Sequence, residues 1–148
     1  MSAPTGGTTS LSGLEIMRRV ASGQLPPPGI ATLLGMDVED VDDGFASFVL
    51  EPDARMLNPI GSVHGGIAAT LLDSCMGCAV HTTLPPGAGY TTAQLNVHYL
   101  RAMQPGMGQV RAIGVVLHRG RKQSTAEGKL LDAAGRLLAH ATTTCLIL

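Results

Sequence analysis

Asp73 is the only charged side chain between His64 and His81, in a run of sixteen residues that is otherwise almost wholly apolar. Ile67, Leu71, Leu72, Cys75, Met76 and Val80, with the alanines between them, leave no polar face wide enough for a surface helix. The pattern therefore predicts a buried helix. It is short for a membrane span and carries an acid. A carboxylate in such surroundings must find a partner or become protonated, because an unpaired buried charge is costly. Asp73 is thus the first candidate for chemistry, as a nucleophile or a base. The competing reading is a carboxylate paired with a buried donor for stability alone.

Gly65 and Gly66 stand where this helix should begin. Without a Cβ, they let a substrate approach the backbone. The first N–H groups of a helix have no partner within it and point outward with the positive end of the dipole. Such an end can polarise a carbonyl and stabilise an oxyanion. Asp73 lies eight residues further on, roughly 12 Å along the axis at 1.5 Å per residue. That is too far to serve the same carbonyl. If both groups act on one bond, they come from two copies of the helix, and the expected assembly is a homodimer with sites at its interface.

The elements that must hold this helix follow in order along the chain. Ser12-Gly13-Leu14-Glu15 fits a capping box opening a short helix over residues 12–22, which Pro26-Pro27-Pro28 stops. Ile30 to Leu34 adds one helical turn. Met36–Val41 and Phe45–Leu50 read as strands around the Asp42-Asp43-Gly44 turn. After the helix, residues 90–101 alternate: Ala93, Leu95, Val97 and Tyr99 face one way, and Thr92, Gln94, Asn96 and His98 the other. Gln109–His118, Gln123–Asp132 and Leu137–Leu148 read as three further strands. Uninterrupted strands at the end of the chain imply antiparallel pairing, and one central helix implies a sheet curled around it. The expected class is α+β, with five to six strands.

With 148 residues, the chain reads as a flexible arm over 1–10 and a single domain over 11–148. A 45% hydrophobic content with only 14% charged residues suggests surface hidden by oligomerisation. The net charge of −1 offers no field to attract nucleic acid or anionic membranes, and four aromatic residues are too few for stacking on bases. The first residues lack a secretory pattern, and three cysteines do not make a disulfide framework, so the expected compartment is the reduced cytoplasm. Cys75-Met76-Gly77-Cys78 has the spacing of a redox pair, with His81 three residues on. In mid-helix it lacks the positive helix end that lowers a thiol pKa, so small core side chains are the better reading. A fourth zinc ligand is not evident, and no metal site or cofactor is expected.

The pattern N-x-x-G-x-x-H-G-G followed by an acid, here Asn58, Gly61, His64, Gly65, Gly66 and Asp73, resembles the hotdog-fold acyl-CoA thioesterases. The likeness is to the PaaI-like and thioesterase-superfamily-member-2 branch and covers the chain from about residue 30. It implies a hotdog fold and hydrolysis of an acyl- or aryl-CoA thioester. Gly65 would donate its N–H to the thioester oxygen, with Gly66 beside the substrate. Asp73 would attack the thioester carbon or activate water. Asn58 would orient the water or leaving group, and His64 would hold the loop. Thr92, with Thr91 as the weaker candidate, would position water with the acid. Gly77 stands where another branch carries a catalytic threonine. Arg119-Gly120-Arg121-Lys122, in a turn, would hold the CoA phosphates; by default such a turn is a solvated hairpin end. The resemblance also implies a homodimer with shared sites, assembled as a dimer of dimers. Two rival functions are a hotdog dehydratase or hydratase on CoA or carrier-protein esters, and a non-catalytic acyl-CoA binder.

Overall fold

The computed structural model describes residues 10–148; positions 1–9 of the expected arm lie outside them. Its centre is one long helix, α3 (Gly65–His81), whose Leu71, Leu72, Cys75 and Met76 are fully buried. Two short helices precede it, α1 (Gly13–Ala21) and α2 (Gly29–Leu34). The capping box at the start of α1 is formed: the Glu15 N–H donates to the Ser12 hydroxyl at 3.2 Å, and the Ser12 N–H donates to the Glu15 carboxylate at 2.7 Å.

Six antiparallel strands wrap α3: β1 (Met36–Asp42), β2 (Phe45–Leu50), β3 (Tyr90–Tyr99), β4 (Val110–Arg119), β5 (Gln123–Leu131) and β6 (Leu137–Ile147). Their order across the sheet is β1-β2-β4-β5-β6-β3. This is the α+β hotdog arrangement. Element bounds match the expected ones to within two residues, and a 3₁₀ turn at Ala54–Met56 is additional. Among the described residues, no helix is long and apolar enough to cross a membrane.

The sheet approaches α3 closely because glycines face the helix. A Cβ at Gly114 of β4 would lie 2.3 Å from the Cys75 carbonyl oxygen, so the strand rests on helix backbone. Backbone cannot swing aside as a side chain can. Gly114→Ala is therefore expected to lower unfolding free energy by about 3 kcal/mol in urea titration. A loss under about 0.5 kcal/mol would contradict this seating.

One feature of β3 corrects the simple alternation. Thr92 pairs with Cys145 of β6, but Gln94 pairs with the adjacent Thr144, leaving Ala93 as the extra residue of a β-bulge. The bulge turns Tyr90 and Thr92 to the helix side, with Leu95 and Val97, while Ala93 is exposed. Thr92 therefore does not share a face with Gln94, Asn96 and His98. A period of two assumes an unbroken pleat, and one inserted residue reverses every side chain before it.

Candidate active site

The acid sits halfway along α3, half-buried and facing β3. The Thr92 hydroxyl donates to Asp73 Oδ1 at 2.8 Å. Among the described residues Oδ2 has no partner, which leaves half the carboxylate free. Thr91, by contrast, is exposed. The bulge thus determines which of the two threonines meets the acid. Cys75, Cys78 and Cys145 are free thiols close to this carboxylate. Desolvation pushes all three above the ordinary thiol range, and at Cys75 and Cys78 the shift is large. These are thiols, not thiolates, at neutral pH, which argues against redox or metal-ligand chemistry for Cys75 and Cys78. The Tyr90 ring lies over Gly77, where a Cβ would come within 2.9 Å of Cε2. No threonine fits at that position without moving the ring.

A second group of candidate residues lies at the start of α3. His64 is the N-cap, and its Nδ1 accepts the Gly66 N–H at 2.8 Å. The ring is thereby held as the tautomer with its proton on Nε2. The Ile67 N–H donates to the His64 carbonyl at 2.9 Å. The Gly65 N–H has no acceptor among the described residues. It is an orphan donor at the positive end of the helix, the arrangement that suits an oxyanion.

Asn58 holds the loop leading to this end. Its Oδ1 accepts from the N–H groups of Ile60 and Ser62, each at 3.1 Å, and its Nδ2 donates to the Ser62 hydroxyl at 2.9 Å. Gly61, at φ +88°, completes the turn in a conformation that favours glycine. One N–H of the Asn58 amide remains for a water or a leaving group. The His64 N–H donates to the Met56 carbonyl at 2.7 Å, so the loop is fastened on both sides.

The basic turn joins β4 to β5. Arg119 is committed elsewhere: its guanidinium grips both carboxylate oxygens of Asp43, at 3.0 and 2.9 Å, tying the turn to the β1–β2 hairpin. A Cβ at Gly120 would lie 2.1 Å from the Gln123 carbonyl oxygen, so glycine is needed for the tight return. Arg121 and Lys122 are exposed and carry no ion pair among the described residues. The register places Ser124 beside Cys145, and Cys145 beside Thr92. The turn therefore lies at the acid's end of the sheet, about two strand spacings, or roughly 10 Å, across from Thr92.

Spatially, the candidate residues fall into two groups. Asp73, at mid-helix, meets Thr92 near the start of β3, on the side of the basic turn; Asn58, His64, Gly65 and Gly66 gather at the start of α3. β3 connects them, with Thr92 near its start and Tyr99 at its end. The Tyr99 hydroxyl donates to the Gly65 carbonyl at 2.7 Å. Sequence reasoning placed Tyr99 only on a strand face, because nothing local marks a contact across 34 residues.

The sequence signature of the thioesterase superfamily matches residues 60–139, more than half of the chain. The chain belongs to the thioesterase superfamily. By that membership it is a thioester hydrolase, and its central helix, acid and glycine pair all fall inside the matched segment. This thioesterase is 36% identical over 119 residues to a Halobacterium salinarum protein that bears an esterase name, covering 77% of each chain. It is 24% identical over 116 residues to the 1,4-dihydroxy-2-naphthoyl-CoA hydrolase of Listeria monocytogenes, covering 78% of this chain and 93% of that one. The crystal structure of a phenylacetic acid degradation-related protein from Ralstonia eutropha superposes with a TM-score of 0.79 at 33% identity, covering 88% of this chain and 98% of that one.

Proposed function

We propose that this thioesterase hydrolyses acyl- or aryl-CoA esters at sites shared between two subunits, with Asp73 of one facing Gly65 of the other. The observation that carries the reading is the position of β3. It is an open edge of the sheet, with the acid's partner Thr92 at one end and Tyr99, bound to Gly65, at the other. An edge strand pairs readily with a second copy, and antiparallel pairing about a two-fold axis sets opposite ends of the two strands side by side. Such pairing brings one subunit's acid to its twin's helix start, which the length of α3 forbids within one chain. Two dimers assembled back to back give a tetramer in the cytoplasm.

In this site the thioester oxygen accepts the Gly65 N–H, and negative charge developing on it is stabilised by a donor already in place. The Asp73 carboxylate, held by Thr92, attacks the carbonyl carbon or takes a proton from the water that does. The tetrahedral intermediate collapses with loss of the CoA thiolate, giving the free acid directly when water attacks, or a mixed anhydride with Asp73 that water then hydrolyses when the carboxylate attacks. Asn58 orients the water or the leaving group. His64 holds the helix start in its donor geometry and carries no proton in the reaction. The acyl group occupies a cavity of about 240 Å³ beside the first turn of α3, lined by four apolar side chains, Leu33, Leu34, Met56 and Ile67, and by Arg55, whose guanidinium is paired with Asp53. Its lining favours an apolar acyl group of modest size, as does the aromatic ester named for the Listeria relative. Thiol release across a panel of aryl- and straight-chain acyl-CoAs tests the reading. Tight binding without release of thiol would instead favour a non-catalytic binder.

Arg121 and Lys122 hold the CoA phosphates through charge-assisted hydrogen bonds. Replacing both with alanine is expected to raise KM for the CoA ester about tenfold and leave kcat within about twofold. The difference should shrink as ionic strength rises, because exposed charges are screened. An unchanged KM at low salt would remove the turn from the site.

A further inference from the structure

We infer that Tyr99 is a positioning residue for the oxyanion donor: its hydroxyl clamps the peptide that joins Gly65 to Gly66. This inference rests on the reading of Gly65 proposed above and deepens it. The start of α3 presents a mechanical problem. Two consecutive glycines have the largest conformational freedom of any dipeptide, and they occupy the first turn, where helices fray. A donor that must be aimed before the charge develops is poorly served by such a segment.

The structure meets the problem by gripping one peptide unit at both ends. The carbonyl of Gly65 accepts the Tyr99 hydroxyl at 2.7 Å, and the N–H of the same peptide, that of Gly66, donates to His64 Nδ1 at 2.8 Å. With both polar atoms fixed, the 65–66 peptide plane cannot rotate. The neighbouring 64–65 peptide, which carries the Gly65 N–H, is held at its own carbonyl by the Ile67 N–H at 2.9 Å, so the two planes that meet at the Gly65 Cα are both anchored and the donor keeps its aim. The hydroxyl, carbonyl, N–H and imidazole nitrogen form one continuous chain, in which each bond polarises the next. The Tyr99 ring adds a steric stop. A Cβ at Gly65 would lie 3.4 Å from both Cε1 and the hydroxyl oxygen, so the ring already lies against the glycine. The same ring roofs a small cavity of about 40 Å³ behind the helix start, lined by Val63, Ala68, Met103 and Leu138 among others. Tyr99 is the last residue of β3, and the Leu100 and Arg101 N–H groups both return to the Leu138 carbonyl, at 2.9 and 3.0 Å. The clamp is thus mounted on the sheet.

Tyr99→Phe tests this, because it keeps the ring and removes only the hydroxyl. The expected result is a fall in kcat of about tenfold with KM within about twofold, since the donor acts chiefly in the transition state. The melting temperature should stay within about two degrees of the parent, as the lost bond is exposed. The amide resonances of Gly65 and Gly66 should shift, and hydrogen exchange of the bonded Gly66 amide should quicken by about fivefold or more. A Tyr99→Phe protein with the parent's kcat overturns the inference, and so does one whose two glycine amides are unmoved. If the parent chain releases no thiol from any ester, the functional reading falls by itself. The amide measurement then still decides whether the clamp exists.

Discussion

Replacing Asp73 with asparagine is expected to lower kcat for thioester hydrolysis by about a thousandfold or more while leaving the fold intact. The size follows from what the substitution removes. Asparagine has the shape of aspartate, and its side-chain oxygen can still accept the Thr92 hydroxyl that now donates to Oδ1 at 2.8 Å. It has neither the charge to attack a carbonyl carbon nor the basicity to take a proton from water. Packing around the site does not change, because the surrounding Leu72, Cys75 and Met76 are already fully buried. The melting temperature should therefore move little, and KM should stay close to the parent's. Retention of more than about a tenth of parental kcat would exclude Asp73 as the reacting group. A large fall in stability would instead assign it the purely structural part of a paired helix carboxylate. Single turnover in oxygen-18 water then separates its two possible roles. Label recovered in Asp73 identifies a nucleophile whose anhydride water opens at the aspartyl carbon, whereas a base directs all of it into the product acid.

Most of what positions this site is legible in the chain. The limits of α3 follow from Gly65-Gly66 at one end and Pro85-Pro86-Gly87 just beyond the other, because glycine pairs and prolines are local signals with local causes. The acid, the capping histidine and the loop asparagine stand out because each is a polar side chain where the pattern calls for an apolar residue or a turn. Contacts between distant segments were not legible. That β3 lies at the sheet edge beside β6, and not beside β4, depends on a crossover that no pattern of side chains encodes. The bulge at Ala93 inserts a residue without altering the composition of the strand, yet it decides that Thr92, and not Thr91, meets Asp73. Arg119 reads as a free basic residue until Asp43, 76 positions away, is found in its fork. Tyr99 reads as a strand aromatic until its hydroxyl is found on Gly65. In each case the residue type is visible and its partner is not.

The proposed shared site has a consequence that no single-subunit site can imitate. Gly65→Pro should delete the oxyanion donor and little else. Proline is at home in the first position of a helix, where its missing N–H has no helical partner to lose. The preceding residue must be extended, and His64, at φ −56° and ψ 134°, already is. Added carbon at Gly65 would meet the Tyr99 ring at 3.4 Å, at the near edge of ordinary contact. The expected loss in kcat is about a hundredfold to a thousandfold, the usual worth of one oxyanion donor. Co-expression of Gly65→Pro and Asp73→Asn chains under two affinity tags then gives the decisive measurement. In a mixed dimer, one site receives both altered groups and the other receives neither. The doubly tagged assembly should show about half the parental activity for each mixed dimer it contains, and an unsorted mixture about a quarter in all, although each parent variant is nearly inactive. If Asp73 and Gly65 acted on one thioester from the same chain, every site in the mixed dimer would carry one defect and no activity would return. Failure of the mixed dimer to recover would therefore rule out the shared site, whatever the two single variants show.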